Sequence, residues 1–445
     1  MKRDALQRAM RRDYSVAAVP GWFALGAMTV FVLFPLVNMI RRWKIGSDFL
    51  FTAWRDYLFW AAGIFLVLLL VAAIDHPSRE KLVGAGKTFL SNPAFVFLAA
   101  LAVWMLVSTA VTGFVYDSVI GTEKSHTGLV CSLVYFTVFL MGLRLKKTRG
   151  SGVWLAVFLA VAGFLNVFIL VDYYAGLSLG LTSSGAIFYN SNHLAYYLLV
   201  ETVAAETVFL LSPSRGRRAA ALAVYLSGVG ALVLANTLGC LVALAVTFVF
   251  AAVVLPLTRK FHPVRFVAVI LAAVAVFGAM YFIPTAKGAT QKAQTESNIK
   301  VLEQSAEAIT DIGGASGSLG SGRMALWKSA ARATAEKPVF GQGLAAMRER
   351  LMNDTHGGNN TVHNEFLEYA SNHGIPALLL YLAFVLAVFI RAARRRRLLT
   401  DMEVLSLTVA FAYLVSSFFG VTMFYTAPYL FFFLGLGYCR AEKTA

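Results

Sequence analysis

Charge is scarce in this chain. Only 14% of its 445 residues are charged, too few to cover the surface of a water-soluble domain of that length. Cysteine is scarcer still. Cys131, Cys240 and Cys439 fall in or at the ends of apolar runs, which excludes a disulfide framework or a Cys/His metal site of familiar spacing. There is no HExxH, no heptad run and no repeat of fixed period. The alternation of apolar and polar residues that a membrane β-barrel needs is missing too.

What fills the chain is apolar sequence, 58% of residues, gathered into runs of membrane-crossing length. Twelve candidate spans can be read at 21–40, 58–74, 92–113, 129–145, 153–174, 194–211, 219–237, 241–257, 266–283, 374–390, 402–420 and 426–439. The last is short and contains proline. The expected fold is an all-α polytopic membrane protein of about twelve transmembrane helices with one large extracytoplasmic loop. Residues 1–283 would hold spans one to nine, 284–373 the loop, and 374–445 the last three spans.

Orientation follows from Lys and Arg. "MKRDALQRAMRR", "RLKKTR", "SRGRR", "TRKFHPVR" and "RAARRRR" fall on one side, so both termini are expected in the cytoplasm. "RRWK", Arg41 to Lys44, dissents by falling outside. The first apolar run has span length and more follow, so it reads as an anchor and not a cleaved signal peptide. Topology and anionic headgroups account for most of the net charge of +16, and no nucleic-acid partner is expected.

The loop opens with a polar segment, passes through the flexible "GGASGSLGSG", and continues as "RMALWKSAARATAEKP", a helix stopped by Pro338. "GQGLAAMRERL" reads as a turn into another helix. With little apolar content, the loop is expected to lie across the bundle and cover a cavity, not to fold alone.

Candidate chemistry gathers in this loop. Thr361 or Asn360 can cap a helix continuing through Glu365 and Tyr369, placing His363 in its first turn. A helix N-terminus holds an imidazole neutral and ready to accept a proton. The plainer role for such a residue is capping. Arg323 follows a Gly-rich turn at a helix start, a fit for a phosphate, although a solvated surface arginine looks the same. Arg348 and Arg350 are further candidates, but residues i and i+2 do not share a helix face. Asp354, His356, His363, Glu365, Glu368 and His373 cluster in sequence without a known metal-ligand spacing, and no metal is expected.

Within the spans, Glu201, Glu206 and Asp172 are costly carboxylates and so functional suspects. Their plainer reading is local hydrogen bonding, for Glu201 with Tyr197. "YNSNHLAYY" opens the sixth span on the loop side. There Asn190, Asn192 and His193 suit either sugar hydroxyls or a helix cap.

Together, "SGRMALWKSAARATAEKPVFGQGL", "HNEFLEYASNHGIPALLLYL" and "FYNSNHLAYYL" resemble the signature regions of the O-antigen ligase and O-antigen polymerase superfamily. The family pattern has Ser-Gly-Arg before a Trp-containing helix, then Pro-x-x-Gly-x-Gly. After it come His, a small polar residue, nine positions and Gly, here His363-Asn364 and Gly374. Three positions depart from it. Leu238 stands where an arginine is usual, Lys124 and His126 occupy an outer loop that often holds Arg-Gly, and Ala377 replaces a Gly, Thr or Tyr.

The resemblance implies a GT-C-like membrane glycosyltransferase of the bacterial inner membrane. It would pass a glycan from an undecaprenyl-diphosphate-linked donor to a sugar hydroxyl on a lipid-linked or anchored acceptor. His363 would be the base, with Asn364 beside it. Arg323, Arg348, Arg350, Lys124, Asn190, Asn192 and His193 would bind substrate. Because the carrier stores the energy, neither a cofactor nor a metal is implied. A surface-polysaccharide polymerase is the alternative within the family. A transporter or lipid-linked sugar flippase is the alternative of another class, and would rest on the intramembrane carboxylates and on paired halves that the sequence does not show.

Overall fold

The computed structural model describes residues 16–45, 51–75, 78–80, 83, 92–121, 128–146, 148, 150–177, 179–182, 187–188, 190–285, 291–292, 296–297, 299–300, 323–354 and 361–438. Every described element is helical or irregular, and no strand occurs among these residues. Each apolar run read from the sequence becomes a helix. They are α1 Val19–Ile45, α2 Phe51–Ile74, α3 Pro93–Thr112, a four-residue α4 Tyr116–Val119, α5 Leu129–Leu145, α6 Gly150–Ala175, α7 Ser191–Leu211, α8 Arg215–Ala235, α9 Leu238–Leu257 and α10 Pro263–Phe282. Three loop helices follow, α11 Arg323–Glu336, α12 Leu344–Asp354 and α13 Glu365–His373, and then α14 Ile375–Arg394, α15 Asp401–Ser416 and α16 Ala427–Gly437.

Ten of these helices are long and apolar enough to cross a membrane. The other two are shorter apolar helices: α5 has 17 residues, with the bounds read from the sequence, and α16 has 11, short of the 426–439 run. At 1.5 Å per residue, α16 spans about 16 Å, roughly half a hydrocarbon core. The apolar run at 426–439 is therefore half a helix, preceded by a non-helical segment at 420–426. Irregular backbone at this depth is tolerated where protein surrounds it, and six of those seven residues are buried.

The core is built around α16, every residue of which is buried. It crosses α5 at two glycines. A Cβ on Gly142 or on Gly435 would collide with the carbonyl of Phe432 or Phe139, respectively, so the backbones meet with nothing between them. Trp154 and Phe158 of α6 pack on Phe432 and Phe433, with ring centroids 4.6–6.2 Å apart. Helix α7 is buried nearly all round. In contrast, α10 turns residues such as Val264 and Phe282 outward, as a lipid-facing helix does.

Helices α11, α12 and α13 share a small apolar core: Leu326, Ala330, Ala333, Met347, Leu351 and Val362. The three helices thus share packing of their own beside their contacts with the bundle. A turn at 338–343 locks the loop in place. Gln342 N donates to Ser371 O (2.8 Å), Gly343 N to Asn372 O (3.0 Å) and Ile375 N to Pro338 O (2.8 Å). From α3, Ser108 Oγ donates to Phe340 O (2.8 Å), Trp104 Nε1 donates to His373 O (2.9 Å), and the Trp104 ring stacks on Phe340 at 5.4 Å.

Three carboxylates suspected from the sequence have structural partners or none. Asp172 accepts from the backbone amides of Leu179 and Leu181. Glu201 accepts from Asn166 Nδ2 (2.8 Å) and Thr202 Oγ1 (3.2 Å), and Gly228 leaves the space it fills. Its expected partner, Tyr197, carries a hydroxyl with no hydrogen bond among the described residues. Neither oxygen of Glu206 has a partner there. The basic end of α1 reaches Ile45, with Arg41 half-buried. The side chains of Arg42, Trp43 and Lys44 lie outside the described set.

Candidate active site

The cap of α13 is Asn364, not Thr361. Its Oδ1 accepts from Leu367 N at 3.0 Å, from a backbone at φ −157°, ψ 109°. Asn360 lies outside the described residues. His363 therefore sits one residue before the helix and not in its first turn. Its φ of 54° is left-handed, a conformation that costs a non-glycine residue of order 1 kcal/mol and is held only by its surroundings. One of those surroundings is Trp327 of α11, whose Nε1 donates to His363 O at 3.3 Å.

The imidazole of His363 is drawn down to a pKa of about 4. Burial is the main cause, and the guanidinium of Arg323 adds to it. At neutral pH the ring carries no charge and has a lone pair to offer.

Arg323 is the first residue of α11. Its charge reaches His363, Tyr196 of α7 and Cys240 of α9. The Ser321-Gly322 turn before it is not among the described residues. Helix α9 begins at Leu238, two residues before Cys240. The arginine-to-leucine departure thus falls at the edge of the same site.

The start of α7 forms the facing wall. Asn190 caps that helix through Asn192 N (2.8 Å), and Asn192 Oδ1 accepts from Thr237 Oγ1 (3.0 Å). His193 Nδ1 lies 2.7 Å from Tyr425 Oη, and its ring is within electrostatic reach of His363. Tyr196 Oη donates to Phe419 O (3.0 Å), and the rings of Phe419 and Trp327 approach to 6.4 Å. Two loop residues and the start of a span, distant in sequence, are so drawn around one spot beside the irregular segment at 417–426.

Other candidates go elsewhere. Arg348 pairs with Asp117 of α4 at 2.9 Å. Arg350 pairs with Glu336 through both terminal nitrogens, and with Asp354 at 3.8 Å. Neither charge figures among those acting on His363. Lys124 and His126 are outside the described residues.

Beneath His363, α13 buries Glu365, Glu368 and His373. Tyr381 Oη donates to Glu365 Oε1 at 2.7 Å, while burial raises the pKa of that carboxyl. Burial, reinforced by the charge of Glu365, raises Glu368 to about 8. His373 Nδ1 lies 3.2 Å from Ser108 Oγ, and burial lowers its pKa to about 4. Each group has its own neighbours, and no cluster of three His, Cys, Asp or Glu able to hold a metal occurs among the described residues.

Sequence reasoning passed over Trp327, Tyr425, Thr237 and Tyr196. Only Trp327 carried a signal, as the tryptophan of the motif helix. The other three hydrogen-bond across 45 to 232 positions of chain.

Residues 221–382 match the family model described as O-antigen ligase. The match runs from within α8, through the three loop helices, into α14. It includes Arg323, Trp327 and His363 but not His193 or Tyr425. No curated protein matches the chain.

Proposed function

Because the chain belongs to the O-antigen ligase and polymerase superfamily through residues 221–382, we propose that it is a membrane glycosyltransferase of the ligase type. It moves a glycan from an undecaprenyl-diphosphate-linked donor to a sugar hydroxyl at the outer face of the cytoplasmic membrane. The observation that carries this reading is a neutral, half-buried imidazole, His363, beside the guanidinium of Arg323. Both stand at the edge of a helix bundle built to cross a membrane.

The chemistry suits these groups. His363 takes the proton of the acceptor hydroxyl as its oxygen attacks the anomeric carbon of the donor sugar. The bond from that carbon to the diphosphate breaks, and its electron pair leaves with the phosphate oxygen. One displacement inverts the anomeric centre. Arg323 opposes the negative charge growing on the leaving group, and a general base contributes about 10²–10⁴-fold. Asn364 fixes the start of α13 and with it the base. Asn190 and Asn192 lie on the wall suited to sugar hydroxyls. Both termini are cytoplasmic, and residues 284–373 form the extracytoplasmic unit between 1–283 and 374–445.

Donor binding also tunes the base. Arg323 adds to burial in lowering the basicity of His363. A diphosphate beside Arg323 cancels that charge, so the imidazole becomes a stronger base once the donor is present.

The test is transfer by the purified chain from a lipid-diphosphate-linked glycan to a glycan acceptor without nucleotide, followed by released lipid diphosphate. Arg323→Ala should raise the KM for donor about tenfold or more and leave the KM for acceptor near wild type. Equal loss for both substrates would remove the diphosphate role. Ion-driven uptake by proteoliposomes, without glycan transfer, would replace the enzyme reading with a transporter.

A further inference from the structure

Tyr425 lies in the irregular segment before α16, and solvent does not reach it. Its ring sits among Phe51, Trp54, Phe188 and Phe424, with centroids 4.5–5.6 Å away. Four aromatic neighbours leave that ring no room to turn, so its hydroxyl has a fixed position. That hydroxyl is 2.7 Å from Nδ1 of His193. His193 is itself 4% exposed, and its Nε2 has no protein partner among the described residues.

Two tautomers fit a phenol beside an imidazole. A phenol hydroxyl is a much stronger acid than the N–H of a neutral imidazole, so the phenol donates and Nδ1 accepts. The ring proton then resides on Nε2, the nitrogen on the far side from Tyr425. His193 opens α7 next to Asn192, which is tied to α9 through Thr237, and it is within electrostatic reach of His363. Arg323 approaches the same spot from the loop.

We propose that His193, locked by Tyr425 as the Nε2–H tautomer, is a fixed neutral hydrogen-bond donor to an anionic phosphate oxygen of the donor substrate. Tyr425 is the positioning residue that sets the tautomer. The inference rests on the diphosphate-donor reading above and adds a second binding group on the α7 side of His363. An uncharged donor suits a buried position, where a second cation would repel Arg323 and cost more to desolvate.

The experiment measures binding of inorganic diphosphate to the full chain in lipid nanodiscs by calorimetry at pH 7. Wild type is compared with His193→Gln, His193→Ala, Tyr425→Phe and Arg323→Ala, and each variant's thermal unfolding is recorded. A glutamine amide offers an N–H near the position of Nε2, so His193→Gln should bind within about threefold of wild type. His193→Ala should bind about tenfold or more weakly, as loss of a hydrogen bond to a charged group implies. Tyr425→Phe should weaken binding about threefold by releasing the tautomer. A purely structural histidine would show no rescue by glutamine. If His193→Ala and Tyr425→Phe bind as wild type while Arg323→Ala does not, this inference is overturned and the diphosphate reading stands. If wild type fails to bind, or Arg323→Ala binds as wild type, the diphosphate reading falls and the inference with it.

Discussion

The indole of Trp327 donates to the carbonyl oxygen of His363, 36 residues away along the chain. This bond ties the helix that begins with Arg323 to the residue that carries the imidazole. The two groups of the proposed chemistry are so held on one frame, and the left-handed φ of His363 has an external support. Replacing Trp327 with Phe keeps a ring against Phe419 and removes the N–H. We expect about 1 kcal/mol of lost stability and a several-fold lower kcat, with the KM for donor little changed. Steady-state kinetics on the purified variant measures this, and an unchanged kcat would detach Trp327 from the site.

The glycines of the motif have a steric reason. A Cβ on Gly374, whose φ is +86°, would overlap the carbonyl of Val339. One on Gly341, at φ +72°, would fall 2.5 Å from the backbone of Asn372. The two segments interlock by backbone alone. Gly374→Ala should therefore cost about 1–3 kcal/mol or more and loosen the loop from α3. Gly152→Ala is the control, since no atom stands within 4 Å of its added Cβ. Thermal unfolding of both variants in one detergent decides the matter, and equal midpoints would count against the interlock.

The pH profile separates the free enzyme from the donor complex. Burial and Arg323 draw His363 down to about 4, so kcat/KM for donor should hold from pH 8 down to about 5 and fall only below that. The acid limb of kcat, which reports the substrate complex, should lie at higher pH, because bound diphosphate offsets Arg323. Stability moves the same way. Between pH 6.5 and 4 the unfolded chain takes up a proton at His363 that the folded chain refuses, so folding weakens as pH falls through that window. An acid limb of kcat/KM near 6.5 would mean an exposed imidazole and a different base.

Much of this architecture can be read in the sequence, because span length and continuous apolar runs leave a bilayer helix as the main solution. The exception is instructive. The run at 426–439 reads as a span, yet it yields the half-helix Ala427–Gly437. Hydropathy cannot see that Tyr425 is engaged sideways by His193, or that Thr426 N closes a local turn on Met423 O. The helix cap was misplaced by three residues for a similar reason. Thr361 and Asn364 are both capping types, and the backbone reveals which accepts the amide. Arg348 looked like a phosphate ligand because its acidic partner is invisible locally, Asp117 being 231 positions away, whereas one partner of Arg350, Asp354, lies only one helix turn on. Arg323 and His363 were legible as a pair only through the resemblance, since no local pattern says that they meet.

The central claim is that the His363 imidazole takes the acceptor proton. The most direct measurement is glycan transfer by His363→Gln at saturating donor and acceptor, alongside inorganic diphosphate binding to the same preparation. We expect transfer to fall at least 10²-fold while diphosphate binds within a few-fold of wild type. Transfer within a few-fold of wild type, by a variant that still binds diphosphate, would contradict the account.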